Sequence, residues 1–127
     1  MAKNEHLERK ADSTSSDIIA ADKVEGTTVY NRAGEKIGTV DHIMIDKRRG
    51  NVCYAIMSFG GFLGMGESYH PLPWAKLDYD KSKGGFVVDL DRRQLESAPH
   101  YKESDFAWTP DYGRQVDQYY NVPTNWS

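Results

Sequence analysis

Three polar links of four residues, each closed by glycine, limit what this chain can fold into: Asn31-Arg32-Ala33-Gly34, Lys47-Arg48-Arg49-Gly50 and Lys81-Ser82-Lys83-Gly84. Glycine takes a positive φ without a Cβ clash, so each link suits a tight hairpin. Between and beside the links lie β-type runs at 27–30, 36–46, 51–59, 68–72, 76–80 and 85–90. Links this short favour antiparallel neighbours, because parallel pairing needs a crossover of a dozen residues or more. The pattern predicts a mainly β fold, an antiparallel meander of six short strands forming a small barrel or sandwich.

Within the second run Ile37 and Val40 are out of phase, and Gly38 between them marks a β-bulge that restores register and lets the strand curve. The last run alternates, with Phe86, Val88 and Leu90 on one face. Ile43-Met44-Ile45 and the run 52–57 are apolar on both faces, which implies a cover on the outside of the barrel. Asp91 with Gln94 has the spacing of a capped helix start, predicting one turn through Glu96. Thr109-Pro110-Asp111, followed by Tyr112, Val116, Tyr119 and Tyr120, predicts a short amphipathic C-terminal helix and supplies a candidate for that cover. Three parts result: a flexible polar tail at 1–22, a barrel at 23–98, and an aromatic-rich segment with a short helix at 99–127.

A mean hydropathy of −0.71 with 28% charged residues describes a well-solvated chain, and no apolar run approaches the roughly 18 to 20 residues of a membrane helix. The first ten residues lack the hydrophobic segment of a secretory signal, so a cytoplasmic location is expected. Without a secretory signal, the glycosylation pattern at Asn125-Trp126-Ser127 carries no consequence. A net charge of −3 and a pI of 5.8 argue against a general nucleic-acid binder. Cys53, the single cysteine, reads as a buried structural thiol.

Nothing in the pattern points to catalysis, a metal or a cofactor. The glycine-rich loop from Gly60 to Gly66 lacks the Lys-Ser or Lys-Thr and the following helix of a phosphate loop, and it presents Phe62, Leu63 and Met65 instead. His6, His42, His70 and His100 have no paired ligand spacing. Asp41 and His42 are neighbours on a strand and are expected on opposite faces. His70 and the Pro71-Leu72-Pro73-Trp74 segment read as a rigid corner with an aromatic plug. The carboxylates at Asp78, Asp80, Asp89 and Asp91 fall on polar faces, and Ser58 and Ser68 lack a nucleophile elbow.

Val29-Tyr30-Asn31, Gly34-Glu35-Lys36-Ile37-Gly38, Val40 with Ile43-Met44-Ile45-Asp46, and Gly50-Asn51-Val52 together resemble the opening hairpins of PRC-barrel domains. The continuation, from Tyr54-Ala55-Ile56-Met57-Ser58-Phe59 through the glycine-rich loop to Tyr69-His70-Pro71-Leu72-Pro73-Trp74, looks like the stand-alone bacterial members. The resemblance spans residues 23–98 and implies a small, partly open antiparallel β-barrel. The same domain occurs in the photosynthetic reaction-centre H subunit and in a ribosome maturation factor, where it docks or regulates and carries no catalytic motif. This sequence shows neither the transmembrane helix of the former nor the second N-terminal domain of the latter.

The function expected is a non-catalytic protein-interaction or adaptor module that self-associates, as a homo-oligomer with a dimer as first guess. Candidate contact residues are Phe62, Leu63, Met65, Trp74, Tyr112, Tyr119 and Tyr120. A rival reading is a small-ligand or anion site, with Arg32, Lys36, Lys81 and Lys83 gathered around the glycine-rich loop at one end of the meander. Another is RNA contact through Lys47-Arg48-Arg49 and Trp74.

Overall fold

A computed structural model of the chain describes residues 18–60, 67–102 and 106–124. The elements are α1 (Ala21–Val24), β1 (Thr28–Tyr30), β2 (Lys36–Ile45), β3 (Val52–Gly60), β4 (Glu67–Pro73), a 3-10 turn (Trp74–Lys76), β5 (Asp78–Asp80), β6 (Gly85–Val87), α2 (Arg92–Ser97) and α3 (Pro110–Tyr120). All six predicted runs form strands. Gly34, Gly50 and Gly84 close the three links at φ of 86°, 79° and 67°. A side chain opens each link. Asn31 Oδ1 accepts from the Glu35 N–H at 2.9 Å, Asp46 Oδ1 from the Arg48 N–H at 2.8 Å, and Asp80 Oδ1 from the Ser82 N–H at 2.9 Å.

The strand order is β4-β3-β2-β1-β6-β5. From β1 to β4 the chain is the expected antiparallel meander, but β6 returns beside β1 in parallel, with Val29 opposite Phe86 and Tyr30 opposite Val87. A short link constrains only the two strands that it joins. Between β1 and β6 lies the whole meander, which itself serves as the crossover. β4 and β5 form opposite edges of the sheet yet are joined by 74–77 alone. In a flat six-stranded sheet those edges would stand about 24 Å apart, whereas this link spans at most roughly 17 Å when fully extended, and its 3-10 turn shortens it. The sheet must therefore curl into a partly open barrel.

Three bulges shape it. Val29 faces Gly38 while Tyr30 faces Lys36, so Ile37 is the extra residue and both Ile37 and Val40 are buried. A Cβ on Gly38 would lie 2.5 Å from the Ser58 carbonyl oxygen and 2.7 Å from Met57 Cγ, which is why glycine stands there. Asp41 and Cys53 are the extra residues of the other two, in the pairing of β2 with β3.

Directly opposed residues share a face. The rows Val40–Met57–His70 and Ile43–Ala55–Leu72 form one face, and Met44–Tyr54–Pro73, His42–Ile56–Pro71 and Thr39–Ser58–Tyr69 the other. On the first lie Val40, Ala55, Met57, His70 and Leu72, all buried in the core. The second is covered by the chain's own C-terminal segment. Tyr101 exchanges backbone hydrogen bonds with Tyr69 and stacks on its ring at 5.5 Å. From there rings follow one another through Phe106, Tyr112 and Trp108 to Tyr54, with centroids 4.2 to 5.3 Å apart. Burial pushes the hydroxyl pKa values of Tyr101 and Tyr112 up to about 12.

Both helix starts are as the sequence predicts. Asp91 and Gln94 form a reciprocal capping box on α2. Thr109 Oγ1 accepts from the Tyr112 N–H at 3.2 Å, with Pro110 in the first position of α3. Tyr54 locks α3 down: its hydroxyl donates to Asp117 Oδ1 at 2.7 Å, and Thr124 donates to Asp117 Oδ2. Tyr119 donates to the Gln94 carbonyl at 2.6 Å, tying α3 to α2. At the other end Ile19 packs against the core and Val24 is buried, so contact with the barrel begins inside the segment expected as tail. The rest of that tail, residues 1–17, lies outside the described residues. Among the described residues, no helix is long and apolar enough to cross a membrane.

Candidate functional site

The fold consumes most of the aromatic side chains singled out for contact. Trp74 is half-buried with its ring edge-on to Phe86 at 5.4 Å, Tyr112 sits in the ring ladder, and Tyr120 is buried. Tyr119 remains 40% exposed although its hydroxyl is engaged. Phe62, Leu63 and Met65 lie outside the described residues.

The cations of the anion-site reading stand in mixed company. Arg32 lies 3.7 Å from Asp89 and 4.0 Å from Asp78, and the hollow beside it, about 520 Å³, is lined by Lys76, Gln94 and Tyr119 as well as those carboxylates. Because β6 runs parallel to β1, the Lys81–Gly84 turn opens toward the start of β1, while the Asn31–Gly34 turn follows its end. Lys83 alone bridges the two, its Nζ 5.3 Å from the centre of the Tyr30 ring. Lys36 and Lys81 are exposed.

Asp41 and His42 are not kept apart as strand alternation implies: His42 Nδ1 lies 2.7 Å from Asp41 Oδ2. Asp41 is the bulged residue, and a bulge suspends alternation. A pair the sequence reading missed is Ser68 and His70, with Oγ to Nε2 at 3.0 Å. Their i, i+2 spacing on a strand, which places both on one face, was the available signal. His70 is 1% exposed and stacks on His100 at 4.9 Å. Burial, with a smaller contribution from His100, lowers its pKa to about 4. Such an imidazole is a poor general base near neutral pH, and its Nδ1 has no orienting partner among the described residues. Among the described residues, no group of three His, Cys, Asp or Glu side chains is placed to hold a metal ion.

An open groove forms where the β2–β3 hairpin ends. It encloses about 570 Å³; Met44, Ile45, Cys53, Tyr54, Trp108 and Pro110 wall it, and Asp46, Lys47 and Arg48 complete the lining. Each part has a local cause. The bulge at Cys53 reorients the start of β3, and the hydrogen bonds from the Arg48 and Arg49 N–H groups to Asp46 Oδ1 fix the turn that displays the cations. Trp108 is held 4.9 Å from Tyr54 and 5.3 Å from Tyr112. Ile45 is left 55% exposed.

Cys53 is half-buried on the groove wall rather than sealed in the core. Burial raises its thiol pKa, with further contributions from Asp46 and Asp117. The same backbone hydrogen bonds that shape the turn hold the Asp46 carboxyl below the usual range. A smaller adjoining hollow of about 220 Å³ shares Cys53 and Tyr54 and is lined by Trp74 and Pro123. It is therefore Trp108, and not Trp74, that shares the groove with Lys47 and Arg48. Sequence reasoning missed Trp108 and Ile45, although Ile45 stood as an apolar residue directly before a cationic turn.

Against known proteins, a family model described as the PRC-barrel domain matches residues 16–95. Among solved structures, the chain is similar to a 16S ribosomal RNA processing protein, RimM, from Pseudomonas aeruginosa. The two share 18% identity over 62% of this chain and 48% of that one, with a TM-score of 0.40. The chain thus spans about half the length of that protein. No curated protein matches it.

Proposed function

We propose, from the premise that this chain belongs to the PRC-barrel domain family, that it is a non-catalytic interaction module receiving a partner protein in the groove at the end of the β2–β3 hairpin. One observation carries the reading: an apolar groove with an exposed isoleucine persists on a chain whose C-terminal rings otherwise cover its outer strands. A polar catalytic cleft would need convergent groups with pKa values suited to proton transfer, and among the described residues the Ser68–His70 pair has a weakly basic histidine. For self-association, the motive in the sequence was the two-sided apolar character of the second and third strands. The chain's own segment 99–120 meets much of that need, which leaves the groove as the surface for a second molecule.

A photo-crosslinking amino acid in place of Ile45, with a second placed at exposed Tyr79 as control, tests this in living cells. Discrete protein adducts at position 45 that are missing at 79 are expected. Equal adducts at both sites, or none at 45, would overturn the reading.

A further inference from the structure

We infer that the segment received by the groove is acidic and inserts an apolar or aromatic anchor; this rests on the groove reading above. Three features argue for it. The walls are Met44, Ile45, Tyr54, Trp108 and Pro110, which offer a neutral side chain dispersion contact and burial. The groove is open on one side, and its volume of about 570 Å³ is enough to receive a large side chain.

The second feature is the rim. Lys47-Arg48-Arg49 is the only run of three cations in a chain of net charge −3. Lys47 and Arg48 are exposed, line the groove, and have no ion-pair partner among the described residues. Asp46, which also lines the groove, accepts the N–H groups of Arg48 and Arg49 on Oδ1 and attracts both arginines, but it forms no ion pair with Lys47 or Arg48. Two cations fixed by a rigid turn beside an apolar cleft are complementary to carboxylates flanking an anchor.

The third feature orders the two chemistries. The Cys53 thiol lies on the apolar wall beside Tyr54, where burial, with smaller contributions from Asp46 and Asp117, disfavours negative charge. Partner carboxylates are therefore favoured at the rim beside Lys47 and Arg48, and a neutral group inside. RNA fits less well, because the groove sets two cations beside one partly buried tryptophan on a chain of net charge −3, whereas single-strand binders track the backbone along a positively charged groove. A membrane surface fits less well because most of the apolar side chains line a concavity and do not project from the turn.

The test is selection of a displayed library of random 12-residue peptides on the full chain, followed by synthesis of the enriched peptides. Cys53, the only cysteine, reports occupancy through its rate of alkylation by iodoacetamide. Enriched peptides are expected to carry a large apolar residue flanked by Asp or Glu and to slow Cys53 alkylation. Their affinity should fall about tenfold or more in K47E/R48E and fall with added salt. K47Q/R48Q, which removes charge without reversing it, should give an intermediate loss, and circular dichroism checks that both variants fold. Peptides that protect Cys53 but contain no acidic residues would overturn the inference while leaving the groove reading intact. No enrichment, or peptides that leave Cys53 reactive, would overturn it, and the crosslinking at position 45 then decides the groove reading separately. Tight binding of phosphatidylglycerol vesicles or of single-stranded RNA, lost in K47E/R48E while peptides are not selected, would assign the basic turn to another partner and overturn it also.

Discussion

Replacing Tyr54 with phenylalanine removes one hydroxyl from the point where the C-terminal helix is bolted to the barrel. The hydroxyl donates to Asp117 Oδ1 at 2.7 Å, and Asp117 is only 3% exposed. Without it the carboxyl group keeps Thr124 on its other oxygen but loses the donor on the first, in a place water reaches poorly. A buried hydrogen bond to an acidic group contributes about 1.5 to 3 kcal/mol, so Y54F should lose about 2 kcal/mol. For an ordered domain of this size that corresponds to a drop in Tm of roughly 8 to 16 °C. Urea denaturation followed by far-ultraviolet circular dichroism measures it, with an unchanged m-value showing that the same structure unfolds. D117N alone and Y54F/D117N complete a double-mutant cycle, in which a coupling of about 1 to 2 kcal/mol is expected. A Y54F protein within 0.5 kcal/mol of the parent would refute the reasoning, and so would strict additivity in the cycle, because either would mean that the Tyr54–Asp117 hydrogen bond does not hold α3.

Burial depresses the pKa of His70 from 6.5 to about 4, so the unfolded chain binds the extra proton between those values. Stability should be complete above about pH 6.5 and fall toward pH 4 by up to about 3 kcal/mol from this group; H70Q should flatten that slope in pH-dependent denaturation, and an identical slope would contradict the assignment. Gly38→Ala should cost about 2 to 3 kcal/mol, since its Cβ would meet the Ser58 carbonyl at 2.5 Å. Gly50→Ala, with open space around it and φ of 79°, should cost only about 1 kcal/mol in the same thermal melt, and equal losses would argue against close approach at Gly38. Light scattering with gel filtration at tens of micromolar should give a mass near 14.4 kDa if segment 99–120 satisfies the apolar outer rows, whereas twice that would show that a second copy is needed as well.

The six strands and two capped helices were legible because their signals are local: alternation, glycine at the end of a link, and a capping residue three positions before its partner. Gly38 is the clearest case, since two apolar residues out of phase with a glycine between them left only a bulge to reconcile them. What local signals could not reach was the pairing of β1 with β6. Nothing in Thr28–Tyr30 or Gly85–Val87 states which edge the last hairpin joins, and the link at 74–77 becomes informative only once the sheet order is known. Asp41 and His42 show the converse, an alternation rule applied to a strand whose bulge was not visible. The groove was half legible. Lys47, Arg48 and Cys53 lie close together in sequence, but the opposite wall is Trp108, brought there from the C-terminal segment by a ladder of rings whose partners are tertiary neighbours.

The late position of those rings in the chain carries a cost during synthesis. Tyr54 and Ile56 are made well before the segment that covers them, and β1 waits for β6 over the whole length of the meander. At about 5 to 20 residues per second, the interval between making Tyr54 and making Tyr120 is roughly 3 to 13 seconds. Throughout that interval the nascent meander presents two apolar strands with no lid, and most of its closing contacts are distant in sequence, which slows the search for them. The stage most exposed to aggregation, and most open to a chaperone, is therefore a half-made barrel that has its hairpins but lacks the C-terminal cover.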